Sequence, residues 1–336
     1  MVTMGEGNTP LVESRRIAPG EVFFKLETTN PSGSYKDRFI AAELTRVISE
    51  GRRVCVATSS GNTGSALAAY CARYGLRCVI LVNADAPAGK LTQMRAHGAI
   101  VVRVPGFVTS GETTQQVFGC LNEFVHSGKA ALVVSAFAYC PIGMAGVQTI
   151  AAEIAHQLAG VEHVFVPVGG GGLFAAVCRG FAGESRRPRL HAVQPEGCPT
   201  LLNAVRAGRD VIEPVTSTTR ISGLSVPFDI DASLALRLLR EGGGCAIGVT
   251  DEEVYRAQRD LVRQEGIYCE PAGATALAGY WRAVRDGAIG RGERSVCLVT
   301  GHGSKDAASM EAIASGAESP LIAAEDVLRA LKQWTA

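Results

Sequence analysis

The chain has 336 residues, of which 47% are hydrophobic and 39 are glycine, and its formal net charge at pH 7 is +1. This length allows two domains with separate cores, and the glycine content is typical of α/β proteins with tight turns between strands and helices. Because the charge is nearly balanced and no basic stripe stands out, we expect neither a nucleic acid nor an acidic membrane as a partner.

Short apolar strand patterns alternate with helical patterns along the chain. This alternation favours an α/β fold with parallel sheets over an antiparallel sandwich. Strands are predicted at residues 54–58, 77–83, 100–104, 164–168, 190–194 and 295–300. Helices are predicted at residues 36–50, 64–74, 89–97, 110–127, 143–158, 173–182, 251–265 and 272–286, with a terminal amphipathic helix within residues 319–336.

An Asn-Pro-Ser-Gly turn at residues 30–33 precedes the first predicted helix and places Lys36 in its first turn. A lysine at this positive end gains nothing from the helix dipole and is disposed to lose its proton. A neutral amine is a nucleophile that can form a Schiff base with an aldehyde, the chemistry of pyridoxal phosphate enzymes. The alternative is a solvated lysine beside Asp37, and three further segments favour the nucleophile.

The first of these segments is a loop of small hydroxyl and glycine residues that follows the predicted strand 54–58. Free backbone N–H groups and the positive dipole end at the next helix would suit an anion such as a substrate carboxylate. Asn62 adds a neutral amide that could donate to a phenolate oxygen. An ordinary N-cap loop would explain Ser59 or Ser60, but it would not explain the whole string.

The second segment is a run of four glycines and a leucine, Gly169, Gly170, Gly171, Gly172 and Leu173, after the predicted strand 164–168. Glycine loses much backbone entropy on folding, so such a run indicates a backbone that something must approach closely. A phosphate held in a nest of N–H groups would fit. The alternative is a dinucleotide-binding loop, because the run loosely matches G-x-G-x-x-G/A; that motif usually opens the first strand-helix unit and has no use for the lysine.

The third segment is Thr300 with the Gly-His-Gly-Ser-Lys-Asp string that follows the predicted strand 295–300. In an open α/β sheet, ligands lie beyond the carboxyl ends of the strands, and all three loops occupy that position. The sequence therefore predicts that four segments between residues 30 and 306 converge on one crevice. We assign His302, at this sharp turn, a structural role.

Ten cysteines form no C-x-x-C pair, and most lie within apolar strand or helix patterns. We therefore expect reduced core residues and no metal site. The N-terminal residues lack a basic-then-apolar signal, and no apolar run reaches transmembrane length. These features predict a cytoplasmic protein.

Taken together, the motifs resemble those of the tryptophan synthase β/threonine synthase family, fold type II of the pyridoxal phosphate enzymes, over nearly the whole chain. The matching strings lie at residues 34–38, 60–64, 169–173, 270–274 and 300–303. The resemblance implies an α/β fold of two parallel-sheet, three-layer domains with pyridoxal 5'-phosphate between them. It also implies a larger domain of residues 1–40 plus 151–336 and a smaller, mobile domain of residues 41–150.

The same resemblance implies a role for each residue of the matching strings. Lys36 would form the Schiff base with the cofactor and would shuttle the Cα proton of the substrate. Thr300 would face the pyridine nitrogen, where a neutral hydroxyl leaves a weaker electron sink than an aspartate would. The remaining roles are to bond the ring oxygen through Asn62, to cradle the phosphate through Gly169, Gly170, Gly171, Gly172 and Leu173, and to hold the amino-acid carboxylate through Ser59, Ser60, Gly61 and Thr63.

The strings around Lys36 and Thr300 are most similar to those of threonine synthases, which act on O-phosphohomoserine. The glycine run and the Glu-Pro-Ala-Gly-Ala string resemble serine/threonine dehydratases and cysteine synthases. Residues 135–143 occupy the place where threonine synthases carry the Asn, Ser and Arg that bind the substrate phosphate, and that combination of Asn, Ser and Arg is missing here. Since a dianion needs paired, charge-assisted donors, we predict that O-phosphohomoserine is not the best substrate.

We therefore predict β- or γ-elimination, with or without replacement, on an amino acid that bears a leaving group. A dehydratase (ammonia-lyase) or a cysteine synthase-type β-replacement is the alternative, and a dinucleotide oxidoreductase or a non-catalytic cofactor-binding protein are further ones. The candidates for a distal anion site are Lys90, Arg38 and Arg220, each of which is individually more typical of an ion-pair residue. By resemblance we also expect a homodimer.

Overall fold

The computed structural model describes residues 1–86, 88–108, 110–126, 128, 130–184 and 186–335, except for the side chains of Ala88 and Lys90. Within this part of the chain, the strands form two sheets that are covered by helices. The α/β class with two parallel sheets is thereby confirmed. The strands of residues 54–132 form one sheet and all the others form the second, while the boundaries at residues 40 and 150 stay a prediction.

The larger sheet has six strands in the order β1-β2-β10-β7-β8-β9. All of its neighbouring pairs are parallel except β1 and β2, which are antiparallel and are joined directly by the loop of residues 14–21. The strands are β1 Leu11–Glu13, β2 Val22–Leu26, β7 His163–Pro167, β8 Arg189–Pro195, β9 Ala246–Val249 and β10 Ser295–Val299.

The smaller sheet is wholly parallel, with four strands in the order β5-β4-β3-β6. Its strands are β3 Val54–Ala57, β4 Arg77–Asn83, β5 Ile100–Val104 and β6 Ala130–Leu132.

Among the described residues, α-helices connect and cover these strands. They are α1 Lys36–Ser49, α2 Asn62–Tyr74, α3 Ala88–Ala96, α4 Gly111–His126, α5 Pro141–Val147, α6 Thr149–Gln157, α7 Gly172–Phe181, α8 Thr200–Arg206, α9 Ala232–Gly242, α10 Asp251–Glu265, α11 Pro271–Arg285, α12 Ala307–Ala314 and α13 Val327–Thr335. None of these helices combines the length and the apolar character that crossing a membrane requires.

The principal hydrophobic core is continuous across both sheets. Cys55 and Ile80 from the smaller sheet belong to the same cluster as Val164 and Val166 from the larger sheet. A second cluster lies on the other face of the larger sheet, where Phe165 packs among residues of α10 and α11. The two sheets therefore share one hydrophobic core. This packing fixes the positions of their strand ends, and of the crevice between them, relative to each other.

Two predicted helices differ from the structure. The helix predicted at residues 143–158 is divided into α5 and α6, with a turn at Gln148. Here α5 lies close against α1: a side chain at Gly143 would collide with Phe39, and one at Gly146 would collide with the Arg38 carbonyl. Hydrophobic periodicity does not encode such a contact. In the C-terminal tail, only residues 324–335 are helical, and Ala336 lies outside the described residues.

The strand predictions are confirmed to within one residue at each end. The helix predictions, except for the two described above, are confirmed to within two residues at each end. The helix predicted to end at Ser127 ends among the described residues at His126, and Ser127 itself lies outside them. The pattern missed the short strands β1, β2, β6 and β9 and the helices α8 and α9. Strands of three to five residues carry too few alternations to be recognised.

Candidate active site

Lys36 is the first residue of α1, and the turn before it is fixed by hydrogen bonds. The backbone of Gly33, at φ +89°, donates to the Asn30 carbonyl, and the Asp37 carboxylate accepts from the backbone N–H and the hydroxyl of Ser32. The Lys36 Nζ atom donates to Ser135 Oγ at 2.7 Å and lies 4.5 Å from the Tyr35 ring centroid. Within the described residues, this is the only hydrogen bond of the amine.

The end of β10 lies directly beside the residues that precede Lys36. Ser34 and Gly301 form an isolated antiparallel bridge, and the Tyr35 N–H donates to the Thr300 carbonyl at 3.1 Å. Thr300 is buried, and its hydroxyl has no hydrogen-bond partner in the described part of the chain. A side chain at Gly301 would lie 2.2 Å from the Glu270 carboxylate, so glycine is required there.

The N-terminus of α2 faces the same point. The Asn62 amide donates to Glu270 Oε1 at 2.6 Å, and Glu270 directly precedes α11. No acceptor among the described residues is bonded to the backbone N–H groups of Asn62, Thr63 and Gly64, as expected for the first turn of a helix. Free N–H groups and the positive dipole end of a helix are suited chemically to an anion.

The glycine run joins β7 to α7. No described residue accepts from the backbone N–H groups of Gly170, Gly171, Gly172 and Leu173. Gly171 has φ +92°, and its missing side chain would lie 2.6 Å from the Asp231 carbonyl. On one side, therefore, the glycine run closely approaches the protein's own backbone, while the N–H groups of residues 170–173 have no acceptor in the described chain.

The four predicted segments are in mutual proximity at the carboxyl ends of β3, β7 and β10. Ser135 joins Lys36 to the glycine run, because a side chain at Gly172 would lie 3.6 Å from the Ser135 carbonyl. Gly301 joins Thr300 to Glu270 and Asn62. The serine loop is next to them in sequence, with Ser59 Oγ accepting from the Gly61 N–H at 3.3 Å.

Four polar residues that the sequence did not single out belong to this region: Ser135, Asp231, Glu270 and Lys305. A signal existed for Glu270, which lies in the matching string at residues 270–274 and precedes a proline at the start of a helix. Lys305 lies in the string that follows Thr300. Ser135 and Asp231 carried no signal, because their contacts join residues far apart in the chain.

Charged groups near Lys36 have perturbed ionisation. Burial raises the pKa of the Asp37 carboxyl to about 6, and the hydrogen bonds from Ser32 only partly oppose this shift. Burial also lowers the pKa of the Lys305 amine, against the opposing charges of Glu270 and Asp37. The Lys305 amine donates to Gln93 on α3, so it links the loop after β10 to the smaller sheet's side of the crevice.

The candidates for a distal anion site have other partners. Arg38 is buried and bonded to Glu27 and Glu153, and Arg220 is exposed beside Asp251 and Glu252. The Lys90 side chain lies outside the described residues. Within the described residues, no group of three or more His, Cys, Asp or Glu side chains could hold a metal ion, and all ten cysteines are free.

The sequence and the fold match known proteins. Residues 2–301 match the family model described as pyridoxal-phosphate dependent enzyme. Threonine synthase from Methanocaldococcus jannaschii is 34% identical over 321 residues, which cover 91% of this chain and 77% of that protein.

Two solved structures have a similar fold. One is O-ureido-L-serine synthase, with a TM-score of 0.77, 20% identity and coverage of 96% of this chain and 97% of that chain. The other is a threonine deaminase from Solanum lycopersicum, with a TM-score of 0.77, 20% identity and coverage of 93% and 88%. The chain belongs to the pyridoxal-phosphate dependent enzyme family, which confirms the predicted cofactor and enzyme class.

Proposed function

We propose that the enzyme catalyses β- or γ-elimination, with or without replacement, on an amino acid that bears a leaving group, and that Lys36 is its catalytic residue. One observation carries this proposal. The Lys36 amine has a single hydrogen bond, to Ser135, and the carbonyl of that serine lies beside a glycine run whose N–H groups have no acceptor in the described chain.

The residues present fit pyridoxal 5'-phosphate. The N–H groups of Gly170, Gly171, Gly172 and Leu173, at the start of α7, would hold its phosphate, because successive free amides at a helix N-terminus form an anion nest. Gly169 precedes them and packs against Gly223 and Leu224. When bound, the cofactor supplies an electron sink for the charge that develops at the substrate Cα.

The lysine amine is arranged to move one proton. One Nζ hydrogen is committed to Ser135 Oγ, which orients the amine, and the rest of its bonding capacity is free. We assign Lys36 Nζ the removal of the substrate Cα proton and its return at the end of the cycle. A properly placed general base of this kind contributes about 100-fold to 10,000-fold to the rate.

Three further groups would orient the substrate and the cofactor. The serine loop, with Ser59, Ser60, Gly61 and Thr63, would hold the substrate carboxylate at the free N–H groups of α2. Asn62 keeps one amide hydrogen free after donating to Glu270, and that hydrogen would bond the ring oxygen of the cofactor. The Thr300 hydroxyl would face the ring nitrogen.

The leaving group is proposed not to be a phosphate. Lys305 lies in the loop after β10, where the charges of Glu270 and Asp37 act on it. A phosphate dianion needs paired cationic donors, whereas beside residues 135–143 the Arg179 guanidinium lies over the Phe137 ring and the Lys36 amine is bonded to Ser135. O-phosphohomoserine is therefore expected to be a weaker substrate than a serine derivative.

The substrate assay compares serine, threonine, O-acetylserine, O-phosphoserine and O-phosphohomoserine, with consumption of the amino acid and release of 2-oxo acid and ammonia measured for each. Turnover of any of the five that is lost in Lys36→Ala supports the proposed reaction. Release of a 2-oxo acid with serine or threonine would favour the dehydratase activity. A clear preference for O-phosphohomoserine would contradict the proposed leaving group.

We also propose that residues 41–150 form a smaller domain that closes over the substrate against residues 1–40 and 151–336. The division of the strands into two sheets supports this boundary, and the contact of Lys305 with Gln93 spans it. Closure would exclude water from the reacting carbon. A homodimer in the cytoplasm is the proposed working form, which gel filtration with light scattering and cell fractionation would test.

A further inference from the structure

Asp231 is a buried carboxylate beside the glycine run, only 4% exposed. Its two oxygens accept from the backbone N–H groups of Phe137, at 2.7 Å, and Ala138, at 3.1 Å. In the described part of the chain, no lysine, arginine or histidine forms an ion pair with it. Burial raises the pKa of Asp231, and the two backbone hydrogen bonds oppose that shift. A buried carboxylate without an ion-pair partner is costly, and the Arg179 charge acts on Asp231 only from beyond ion-pair distance, so the contacts of Asp231 call for an explanation.

The backbone of the same residue contacts the glycine run. The Asp231 N–H donates to the Gly170 carbonyl at 2.9 Å, and the Asp231 carbonyl fills the space that a side chain at Gly171 would need. A side chain at Gly172 would lie 2.8 Å from Asp231 Oδ2. Asp231 thus touches the glycine run through its backbone and residues 137–138 through its side chain.

The loop that Asp231 holds carries the partner of the lysine. Ser135 accepts the hydrogen bond of Lys36 and lies two residues before Phe137. A second contact acts in the same direction, because the Arg179 guanidinium of α7 lies 4.3 Å from the Phe137 ring centroid. Residues 135–138 are therefore attached to the glycine run and to the helix that follows it.

We propose that Asp231 is a positioning residue that fixes residues 135–138 against the glycine run, and thereby sets the position of Ser135 and of the Lys36 amine relative to the phosphate cradle. This inference rests on the proposed roles of Lys36 and the glycine run. A carboxylate next to a phosphate cradle is electrostatically unfavourable for phosphate. Its role in holding two backbone N–H groups through charge-assisted bonds explains its presence there.

The direction in which cofactor affinity changes distinguishes a positioning role of Asp231 from a purely electrostatic one. In Asp231→Asn the negative charge is lost, so an electrostatic role alone would make pyridoxal 5'-phosphate bind more tightly. A positioning role predicts about tenfold weaker binding, because one of the two N–H acceptors becomes an N–H donor. The matched control is Asp229→Asn, an exposed residue of the same loop whose carboxylate bonds Ser233, and its affinity is expected to be unchanged.

Amide hydrogen exchange supplies a readout that needs neither cofactor nor activity. In the unmutated protein, the amides of Phe137 and Ala138 are expected to be protected, and in Asp231→Asn they are expected to exchange at least about tenfold faster. Fast exchange of both amides in the unmutated protein would overturn the proposal, and this measurement does not depend on the variant folding.

A double-mutant cycle tests whether Asp231 acts through Ser135. Asp231→Asn and Ser135→Ala are each expected to shift the pH titration of the visible band that the lysine and pyridoxal phosphate form, at about 410 nm. The double variant is expected to lie within about threefold of the weaker single variant in cofactor affinity, because both changes disturb one contact. Multiplicative effects, or unchanged or tighter binding in Asp231→Asn, would refute the positioning role. If unmutated protein formed no visible band, the proposed function itself would fail.

Discussion

Lys36 and Arg38 lie two residues apart in the first turn of α1, and their surroundings are opposite. The Lys36 amine makes one hydrogen bond, to a serine hydroxyl, among the described residues. The Arg38 guanidinium is buried and bonded to the carboxylates of Glu27 and Glu153 and to two threonine hydroxyls. The same turn therefore carries one cation with nearly free donors and one whose donors are saturated.

Arg38, whose donors are saturated, belongs to a network of two cations and two carboxylates. Lys25 is also buried and donates to Glu153, to Gln157 and to the Thr9 carbonyl. Burial would raise the pKa of Glu153, but hydrogen bonds from Arg38 and Lys25 outweigh it and hold that pKa at about 2. Such a network fixes α1 to β2 and α6. A catalytic group, in contrast, needs donors or acceptors that are not already used in structural hydrogen bonds.

The largest expected effect is on catalytic activity, and it distinguishes Lys36 from Arg38. Lys36→Ala should lower turnover at least about 1,000-fold, because the proton-transferring amine is lost. Its unfolding free energy should change by only about 0.5 kcal/mol, because the half-buried amine has a single neutral partner. Steady-state kinetics and urea unfolding measure the two quantities. A destabilisation as large as that of an Arg38 variant would show that the lysine is structural.

Arg38→Met should have the reverse profile. Removing the guanidinium leaves Glu27 buried without its cation, which should cost about 3–5 kcal/mol of unfolding free energy. The control is Arg209→Met, which breaks an exposed ion pair with Glu213 and should cost about 1 kcal/mol or less. Urea unfolding of both variants provides the comparison. Equal losses would mean that burial of the network contributes nothing.

The smallest expected effect is a difference in pH dependence between Asp37 and Glu153. The folded-state pKa of Asp37 is raised to about 6, so the folded state binds its proton more tightly and the Asp37 contribution to stability falls as pH rises from about 4 to 6. The pKa of Glu153 is depressed to about 2, so its contribution is full above about pH 4.5 and is lost as pH falls towards 2.

Unfolding free energies of the unmutated protein, Asp37→Asn and Glu153→Gln, measured from pH 3 to pH 7, isolate these contributions. Relative to the unmutated protein, Asp37→Asn should remove a decrease in stability between about pH 4 and 6, and Glu153→Gln should remove an increase in stability between about pH 3 and 4.5. Parallel curves for all three proteins would contradict both assignments.

The sequence predicted the convergence of the site because parallel strands place their carboxyl ends at one edge. Lys36, Thr300 and the glycine run each follow or face such an end, so their proximity could be inferred without knowing the contacts. The pairing of Asn62 with Glu270 could not be inferred, since 208 residues separate them. The role of Ser135 could not be inferred either, because it depends on a hydrogen bond with a lysine 99 residues away in the chain.

Arg38 shows the same limit from the other direction. It was one of three candidates for a distal anion site, although an ion-pair role is more typical of such a residue, and its partners Glu27 and Glu153 lie 11 and 115 residues away. Periodicity placed it on a helix but could not say that Glu27 would be buried with it and that Glu153, which is partly exposed, would bond it as well. Asp231 was invisible for a similar reason, since its partners are backbone N–H groups, which carry no sequence signature.

The most direct test of the account is to locate the lysine that holds the cofactor. Lys305 is the informative rival, because it is half-buried near the same crevice and desolvation lowers its pKa. Protein reconstituted with pyridoxal 5'-phosphate is reduced with borohydride and digested, and the modified peptide is identified by mass spectrometry. The account predicts the pyridoxyl group on Lys36, at full occupancy in Lys305→Met and absent from Lys36→Ala. A pyridoxyl group on Lys305, or no modified peptide, would contradict it.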